Sequence, residues 1–480
     1  MMRRSSLSFL LSEGSEEDAL WSGRKSDGRL FFSRGASWVL ALVTIVVVAG
    51  TTAGVSQRSV VTQRRSSEMR SARSWWRRRA RRYCSASLPF RDEEDEALDG
   101  LALLGATVAI RHGARSAIHE PQEAVHPHFD CELSMSVKRG LGFDLLSGES
   151  GSESGTDALA PSVVSEKTQE CMPGQLLDRG FKQHLMLGSE VRERFGIDGG
   201  WALSYARSTD YRRTKASAAA FLAGAFPFVT MTKIRSWIQV FPTAREPMYG
   251  TGGSDGVGVF CPKASNDQSR QRSAFLTTKK LRDNLDPRYY TFTSNKANKT
   301  TLDRSIKSVA DAVYSRTCDG NNVDLCLHND CLDAKMTALV LSESDRFYCD
   351  WFSGTSGGRA ATRLAMYPFL RELADGLLAQ AKTNATLRLY SGHDTVIAPV
   401  AAALGFFDCK WPPLASYVLF ELYGKKHDVF LRVLFNGKVV NVAGCPDDTT
   451  LCPLADFSKA VDALLDGAPD FDTACTYAPS

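Results

Sequence analysis

Short apolar runs alternate with amphipathic stretches along the chain from residue 101 onward. The apolar runs predict buried strands at Leu103–Ile110, Trp201–Ala206 and Thr386–Tyr390. Stretches with apolar residues three or four positions apart predict helices over Phe181–Phe195, Lys215–Ala223 and Thr395–Leu404, each followed by a glycine. Further strands are predicted at Ser416–Tyr423, Val429–Leu434 and Val439–Val442. This order of elements predicts an α/β sheet with its chemistry in loops at the strand ends.

Two stretches do not follow this alternation. Gly148–Ser162 is rich in serine and glycine, which predicts a flexible insertion. Met248–Tyr367 begins with a glycine-rich segment and holds four cysteines from Cys318 to Cys349. We therefore expect a mainly helical, disulfide-linked cap inserted into the sheet domain, built from residues 116–175 and 248–367.

A hydrophobic segment precedes the sheet domain. No charged residue lies between Arg34 and Arg58, and Ala36–Val55 is almost entirely apolar or small. As a helix this segment would span about 30 Å, the thickness of a bilayer's hydrocarbon core. The residues before it are numerous and partly acidic, which favours an uncleaved signal-anchor over a cleaved signal peptide. The predicted order is a cytosolic tail (1–35), a membrane anchor (36–55), a basic stem (56–83) and a luminal domain (84–480).

The net charge of +4 combines two unlike parts of the chain. Residues 1–83 contain 16 Lys+Arg and 6 Asp+Glu, a balance of +10 that leaves −6 for residues 84–480. A mildly acidic body excludes a general nucleic-acid-binding domain, which needs a basic face on its folded part. We interpret the arginines around Trp75 and Trp76 as a solvated stem, although such a stretch also suits RNA, anionic lipid or acidic glycans.

All twelve cysteines lie at or after Cys84, and none belongs to a CxxC pair. This arrangement predicts disulfides and an oxidising compartment, with buried free thiols as the alternative. The sequons at Asn298 and Asn384 predict N-glycosylation and agree with a secretory route. We expect a single-pass type II membrane protein of the secretory pathway, or a secreted or lysosomal protein if the hydrophobic segment is cleaved.

Three polar clusters follow the first three predicted strands. They consist of Arg111, His112 and Arg115, then Arg207, then His393 and Asp394. A histidine between two arginines is a poor metal ligand because guanidinium repels a cation, whereas arginine forks match phosphate oxygens. Together the clusters supply a nucleophile, charge stabilisers and a proton donor. These are the parts needed for phosphoryl transfer through a phosphohistidine.

These clusters belong to five blocks that resemble the histidine acid phosphatases, the branch of the histidine phosphatase superfamily with an aspartic acid as proton donor. The blocks are Arg111–Arg115 (RHGAR), Arg179–Gly188, Ala206–Ser217, Tyr390–Gly405 and Trp411–Tyr423. The resemblance runs from about Leu101 to Leu454. It implies a three-layer sandwich in which a mixed, mostly parallel sheet is flanked by helices.

The resemblance also implies a role for each residue of the three clusters. His112 would be the nucleophile and Asp394 the proton donor to the leaving oxygen. The implied phosphate ligands are Arg111, Arg115, Arg207 and His393. No cofactor or metal is implied. Ala117 stands where the family usually has proline, which predicts a less rigid loop.

Two further features resemble the 2-phosphoxylose phosphatases of the Golgi, namely the block Cys171–Leu176 and the spacing of Cys326 and Cys331. They imply a phosphorylated sugar or glycan as substrate, with phosphate removed from xylose in the glycosaminoglycan linkage region. The block around Arg207 is closer to the general acid phosphatases, so a broad acid phosphatase and a phytase-like enzyme remain alternatives. A membrane-anchored phosphoglycan-binding protein without turnover is a third alternative. It predicts loss of catalytic residues, yet all six are present.

Two other motifs receive simpler interpretations. His126, His128 and His328 lack a second cluster at metal-ligand spacing, so we interpret them as loop residues. Gly354–Gly358 matches GxSxG, but no strand is predicted before it, which disfavours a serine hydrolase.

Overall fold

The computed structural model describes residues 69–88, 98–137, 171–197, 201–250, 261–267, 285–294, 299–302, 306–319, 324–354 and 357–476, except residues 70, 122, 126, 128, 130, 135, 384 and 448. The predicted membrane anchor, the serine-rich insertion and the sequon asparagines Asn298 and Asn384 lie outside these residues. Within the described ranges, no helix combines the length and apolar character that crossing a bilayer requires. All described residues belong to one compact unit, Arg64–Ser480.

The strands in chain order are β1 (Ala102–Arg111), β2 (Ala202–Ser208), β3 (Ile238–Val240), β4 (Thr291–Ser294), β5 (Lys299–Leu302), β6 (Cys326–Leu327), β7 (Asp330–Cys331), β8 (Thr386–Gly392), β9 (Tyr417–Lys425), β10 (Asp428–Phe435), β11 (Lys438–Val440) and β12 (Cys452–Pro453). Among the described residues, eight strands form one sheet in the order β11-β10-β9-β1-β8-β2-β3, with β12 beside β10. Separate hairpins pair β4 with β5 and β6 with β7. In the large sheet β1, β2, β3, β8 and β10 point one way, and the rest point the other. The predicted mixed, mostly parallel sheet is confirmed.

The main helices are α1 (residues 71–84), α2 (Asp178–Phe195), α3 (Arg212–Ala225), α4 (Met231–Trp237), α5 (Ile306–Cys318), α6 (Ala334–Ser353), α7 (Gly358–Gln380), α8 (Asp394–Ala403), α9 (Leu454–Asp462) and α10 (Phe471–Cys475). The predicted glycine stop of α2 is confirmed, since Gly196 has a left-handed φ of 61°. In the stretch predicted as a cap, the long described helices are α5, α6 and the start of α7.

Alternate residues of the central strands point into two different apolar layers. Val108 of β1 and Leu389 of β8 pack in one cluster with α2 and α3. Their neighbours Ala109 and Tyr390 pack in a second cluster with α7, α8 and α9. This follows from the two-residue period of a strand, which sends successive side chains to opposite faces. The predicted three-layer sandwich is confirmed.

Helix α1 packs into the body, which differs from the interpretation of this stretch as a solvated stem. Trp76, Ala80 and Tyr83 are buried in an apolar cluster with residues of α5 and α6. The exposed face of the helix carries Arg73, Arg77, Arg78, Arg81 and Arg82. The apolar stripe is narrow and interrupted by arginines, so the sequence pattern alone resembles a polar segment.

Six disulfides pair all twelve cysteines, each of which lies among the described residues. The pairs are Cys84–Cys318, Cys131–Cys171, Cys261–Cys475, Cys326–Cys331, Cys349–Cys409 and Cys445–Cys452. The prediction of disulfides is confirmed, and it indicates an oxidising compartment.

The structure describes parts of the remaining motifs. His328 lies in the turn of the β6–β7 hairpin, which the Cys326–Cys331 disulfide closes. In the described part of the chain, no group of three or more histidine, cysteine or acidic side chains is arranged to hold a metal ion. The GxSxG stretch connects α6 to α7 and does not follow a strand. His126, His128 and Ser356 lie outside the described residues.

Candidate active site

Parallel pairing brings the ends of β1, β2 and β8 to one edge of the sheet. Arg111 at the end of β1 lies opposite Gly392 of β8, and Ser208 of β2 lies opposite Ser391. The loops that begin with His112 and His393 therefore start side by side, and the two imidazole ring centroids are 5.5 Å apart. This is the edge at which open α/β sheets bind their ligands.

The loop that carries His112 is fixed by close packing on α2. A Cβ atom at Gly113 would lie only 2.5 Å from the backbone oxygen of Gly180, so this approach requires glycine. Gln183 of α2 accepts a hydrogen bond of 2.8 Å from the backbone nitrogen of Ala114. The RHGAR loop is thus held by α2, the helix that contains the block Arg179–Gly188.

His112 is suited to nucleophilic attack. Its side chain is buried, and its Nδ1 lies 3.0 Å from the backbone oxygen of Gly113. Because a carbonyl oxygen only accepts hydrogen bonds, we assign the ring proton to Nδ1, which leaves the lone pair on Nε2. Burial and the positive charges of Arg213, Arg111 and Arg115 lower the pKa of His112 well below its ordinary value. The imidazole therefore stays neutral in mildly acidic solution.

Arg111 and Arg115 lie on either side of this histidine in the chain, and both guanidinium groups are buried. Arg111 donates to the hydroxyl of Tyr83 at 2.8 Å and to the backbone oxygen of Pro412, and its Nε has no partner among the described residues. Arg115 forms a two-pronged pair with Asp311 of α5, at 2.7 and 3.3 Å. The cap helix α5 thus orients one arginine of the RHGAR block.

Arg207 is placed differently from the expectation. It lies opposite Tyr390 in the sheet register. Its guanidinium donates to Glu372 of α7 at 2.8 Å and forms an ion pair of 3.2 Å with Glu246. Two carboxylates therefore compensate its charge. The arginine charges that most lower the pKa of His112 are those of Arg213, Arg111 and Arg115, and not that of Arg207.

Arg213, in the first turn of α3, is a site residue that the sequence reasoning did not single out. Its guanidinium carbon lies 4.5 Å from the centre of the Tyr211 ring, and that ring packs against His393 with 4.9 Å between centres. Its charge lowers the pKa values of His112 and His393. Its own pKa falls to about 10, because it is buried and lies near Arg115. Its Nε is buried without a hydrogen-bond partner among the described residues. The one sequence signal for a role of Arg213 is its position in the block Ala206–Ser217, six residues after Arg207.

Asp394 begins α8, and hydrogen bonds hold both of its carboxylate oxygens. Its Oδ1 accepts from the backbone nitrogen of Thr395 at 2.8 Å. Its Oδ2 accepts from the indole of Trp411 at 2.5 Å and from the hydroxyl of Tyr348 at 2.9 Å, and lies 3.4 Å from Arg111. Burial alone would raise the pKa of Asp394, but the charges of Lys307 and Arg111 and these hydrogen bonds hold it well below its usual range. Asp394 is therefore ionised in this environment.

His393 is neutral as well. Burial and the charge of Arg213 lower its pKa well below the ordinary value, and the neighbouring Asp394 opposes this only in part. Its Nε2 lies 3.0 Å from the hydroxyl of Thr209, which itself donates to Thr214. We therefore assign the ring proton to Nε2, with Nδ1 as the acceptor.

Comparison with known proteins agrees with this geometry. The sequence profile of the histidine phosphatase superfamily (branch 2) matches residues 102–436. The chain belongs to this superfamily. The histidine phosphatase is 25% identical over 407 residues to counting factor 60 of Dictyostelium discoideum, covering 79% of this chain and 89% of that protein. It is 24% identical over 411 residues to 2-phosphoxylose phosphatase 1 of Homo sapiens, covering 79% and 81%. It is 26% identical over 369 residues to lysosomal acid phosphatase of Xenopus laevis, covering 72% and 80%.

The predicted family, its fold and its phosphatase activity are thereby confirmed. Four predicted site residues lie in the same site as His112. Arg111, Arg115 and His393 lower the pKa of His112. Asp394 forms an ion pair with Arg111 and opposes the lowering of the His393 pKa. Lys307 and Tyr83 also reach this site but lie far from the predicted clusters in the chain. Nothing in their local sequence marks them.

Proposed function

We propose that this histidine phosphatase hydrolyses a sugar or glycan phosphate through a covalent phosphohistidine at His112. The observation that carries the proposal is the neutral imidazole of His112 beside three buried or partly buried arginines. A neutral imidazole is a nucleophile, and the arginines stabilise the charge on the phosphoryl oxygens in the transition state. We assign phosphate binding to Arg111, Arg115 and Arg213. His393, predicted as a further phosphate ligand, lines the same site, but its ring proton is donated to Thr209 and not to phosphate.

In the first step, Nε2 of His112 forms a bond to phosphorus while the bond from phosphorus to the ester oxygen breaks. Asp394 gives a proton to that oxygen, which leaves as an alcohol. In the second step, a water oxygen attacks the phosphorus of phosphohistidine and the N–P bond breaks. Asp394, now ionised, takes a proton from that water and returns it to the phosphate formed. Inorganic phosphate then leaves as its monoanion, and Asp394 is again ionised.

Because the pKa of Asp394 lies well below its usual range, this carboxylate has no proton to give before a substrate binds. The proton must then arrive with the substrate. A phosphate monoester with a second pKa of about 6 carries one as its monoanion. The negative charge of the bound phosphate also offsets Arg111, which favours transfer of that proton to Asp394.

This arrangement predicts an acid optimum with a specific cause. The pKa of His112 is lowered, so its neutral form persists below pH 6.5 and kcat/KM should not fall between pH 6.5 and 5. Above about pH 6 the substrate monoanion loses its remaining proton and becomes a dianion, so kcat/KM should fall about ten-fold per pH unit. Profiles measured with two alkyl phosphates of different second pKa should have alkaline limbs displaced by the same difference. An alkaline limb at the same pH for both substrates would mean that an enzyme group titrates there. That result would contradict the substrate as the source of the proton.

Arg213 and Arg207 should respond oppositely to substitution. Arg213→Gln removes a phosphate ligand and is expected to lower kcat/KM about 100-fold and to weaken inhibition by inorganic phosphate. Arg207→Gln is the matched control. It leaves Glu246 and Glu372 without their partner, so the midpoint of thermal unfolding should fall while the inhibition constant of phosphate stays close to wild type. The reverse pattern would restore Arg207 as the phosphate ligand.

For the substrate, we propose phosphorylated xylose of the glycosaminoglycan linkage region. The similarity to 2-phosphoxylose phosphatase 1 over 79% of the chain supports this choice. A screen of the full chain should compare a phosphoxylose glycan with phytate and a generic aryl phosphate. A kcat/KM for the glycan well above that for the other two supports the proposal, and a preference for phytate would replace it by the inositol-phosphate alternative.

For the location, we propose a type II membrane protein of the Golgi that is anchored by residues 36–55 and glycosylated at Asn298 and Asn384. The uninterrupted hydrophobic segment and the two sequons support this proposal. The six disulfides support a luminal position of the enzymatic body.

A further inference from the structure

We propose that helix α1 is part of the catalytic machinery, and that Tyr83 at its end is the positioning residue that turns Arg111 toward phosphate and away from Asp394. This inference rests on the proposed roles of Arg111 and Asp394. Helix α1 lies before residues 102–436, which are the part of the chain that matches the superfamily. Family membership therefore assigns no role to this helix.

The first observation is the contact between Tyr83 and Arg111. The Tyr83 hydroxyl accepts a hydrogen bond of 2.8 Å from Nη2 of Arg111, and the guanidinium carbon lies 5.0 Å from the Tyr83 ring centre. The same Nη2 is 3.4 Å from Oδ2 of Asp394. One nitrogen is thus shared between a neutral and a charged acceptor. Tyr83 restrains Arg111 from pairing fully with the carboxylate.

Packing and a disulfide fix the position of the Tyr83 hydroxyl beside Arg111. The Tyr83 ring stacks on Tyr314 of α5 with 3.7 Å between centres, and it is buried. Cys84, the next residue, is bonded to Cys318 of α5 and accepts a hydrogen bond of 2.6 Å from Gln183 of α2. Burial raises the pKa of Tyr83 to about 12, so the hydroxyl stays neutral while it faces the arginine.

A second connection runs from the same helix to the proton donor. Arg79 of α1 donates through Nε to Asp345 of α6 at 2.8 Å. Asp345 accepts from the backbone nitrogen of Trp411 at 2.9 Å, and the Trp411 indole donates to Asp394. Helix α1 is therefore linked to two residues of the proposed mechanism. Tyr83 contacts Arg111, the proposed phosphate ligand, and Arg79 is connected through Asp345 and Trp411 to Asp394, the proposed proton donor.

The consequence concerns which substrates depend on α1. Without the Tyr83 hydroxyl, Nη2 of Arg111 pairs more closely with Asp394 and makes that carboxylate harder to protonate. An alkyl phosphate needs the proton because an alkoxide is a poor leaving group, whereas an acidic phenol leaves without it. Loss of the hydroxyl should thus harm alkyl phosphates more than aryl phosphates. General damage to the fold would harm both equally.

The test compares Tyr83→Phe with Tyr314→Phe in the full chain. Each variant removes one hydroxyl from the same stacked pair of rings, and only the first hydroxyl contacts Arg111. For Tyr83→Phe we expect kcat/KM to fall about ten-fold with glycerol 2-phosphate and at most about two-fold with 4-nitrophenyl phosphate. Tyr314→Phe should stay within about two-fold of wild type on both. Arg79→Gln, which acts through Asp345 and Trp411, should show the same bias toward loss on the alkyl phosphate.

Two outcomes would overturn the inference. Either Tyr83→Phe matches wild type on both substrates, or it loses activity equally on both, as a variant with merely loosened packing would. Thermal unfolding midpoints of the two tyrosine variants identify loosened packing. An active wild-type enzyme that requires His112 establishes the proposed function independently, so failure of the Tyr83 test would leave that function intact.

Discussion

Replacing His112 by alanine is expected to lower kcat/KM by at least about 1000-fold with every phosphate ester, because no other group in the site replaces its Nε2 as nucleophile. In a rapid-quench experiment with radioactive substrate, the wild-type enzyme should carry an acid-labile phosphoryl group. The His112→Ala variant should carry none. The arginines remain in place, so the variant should still bind inorganic phosphate.

The control for this experiment is His328→Ala, since that histidine is 75% exposed and lies in the turn of the β6–β7 hairpin. It should behave as wild type in turnover and labelling. Hydrolysis by His112→Ala at the wild-type rate, with an unchanged unfolding midpoint, would remove the phosphohistidine from the mechanism.

Replacing Asp394 by asparagine should have an effect that depends on the leaving group. Asparagine keeps the shape of the side chain but cannot supply a carboxylic proton. We expect a loss on the order of 100-fold or more with a sugar phosphate, whose oxygen must be protonated as it leaves. With an aryl phosphate of an acidic phenol the loss should be much smaller, because His112 and the arginines still act. Single-turnover kinetics isolate this first step from the later attack of water.

The aryl phosphate serves as the internal control of this experiment, because folding and phosphate binding affect both substrates alike. Equal losses on the two substrates would mean that Asp394 only orients Arg111 or Trp411. That result would leave the phosphohistidine step standing and would require another proton donor.

The sequence predicted the sheet, its flanking helices and the meeting of three strand ends, because each depends on local periodicity and on the geometry of parallel pairing. It could not separate Arg207 from Arg213. Arg207 is still within β2, where the two-residue period turns its side chain toward Glu372 of α7, while Arg213 lies in the first turn of α3. The register between β2 and β8 determines which face of β2 borders the site. The two strands belong to different sequence blocks, so neither block alone reveals that register.

The residues that the sequence did not reveal reach the site from distant parts of the chain. Tyr83 precedes β1 in a stretch dominated by arginines, and Lys307 comes from α5 of the predicted cap. Their roles depend on how α1 and α5 pack against the loop that carries Trp411. Such packing has no periodic signature, and only the three-dimensional arrangement shows it.

The disulfide between Cys84 and Cys318 also bears on how the enzyme is made. Its two cysteines are separated by 234 residues, and synthesis at about 5 to 20 residues per second leaves Cys84 waiting for about 10 to 50 seconds. Cys131, Cys171 and Cys261 emerge during that interval and are available as wrong partners. Strand β1 likewise waits for β8 and β9 before it is paired on both sides. Any early pair that Cys84 forms with one of these cysteines must be undone by thiol–disulfide exchange before Cys84 can bond to Cys318.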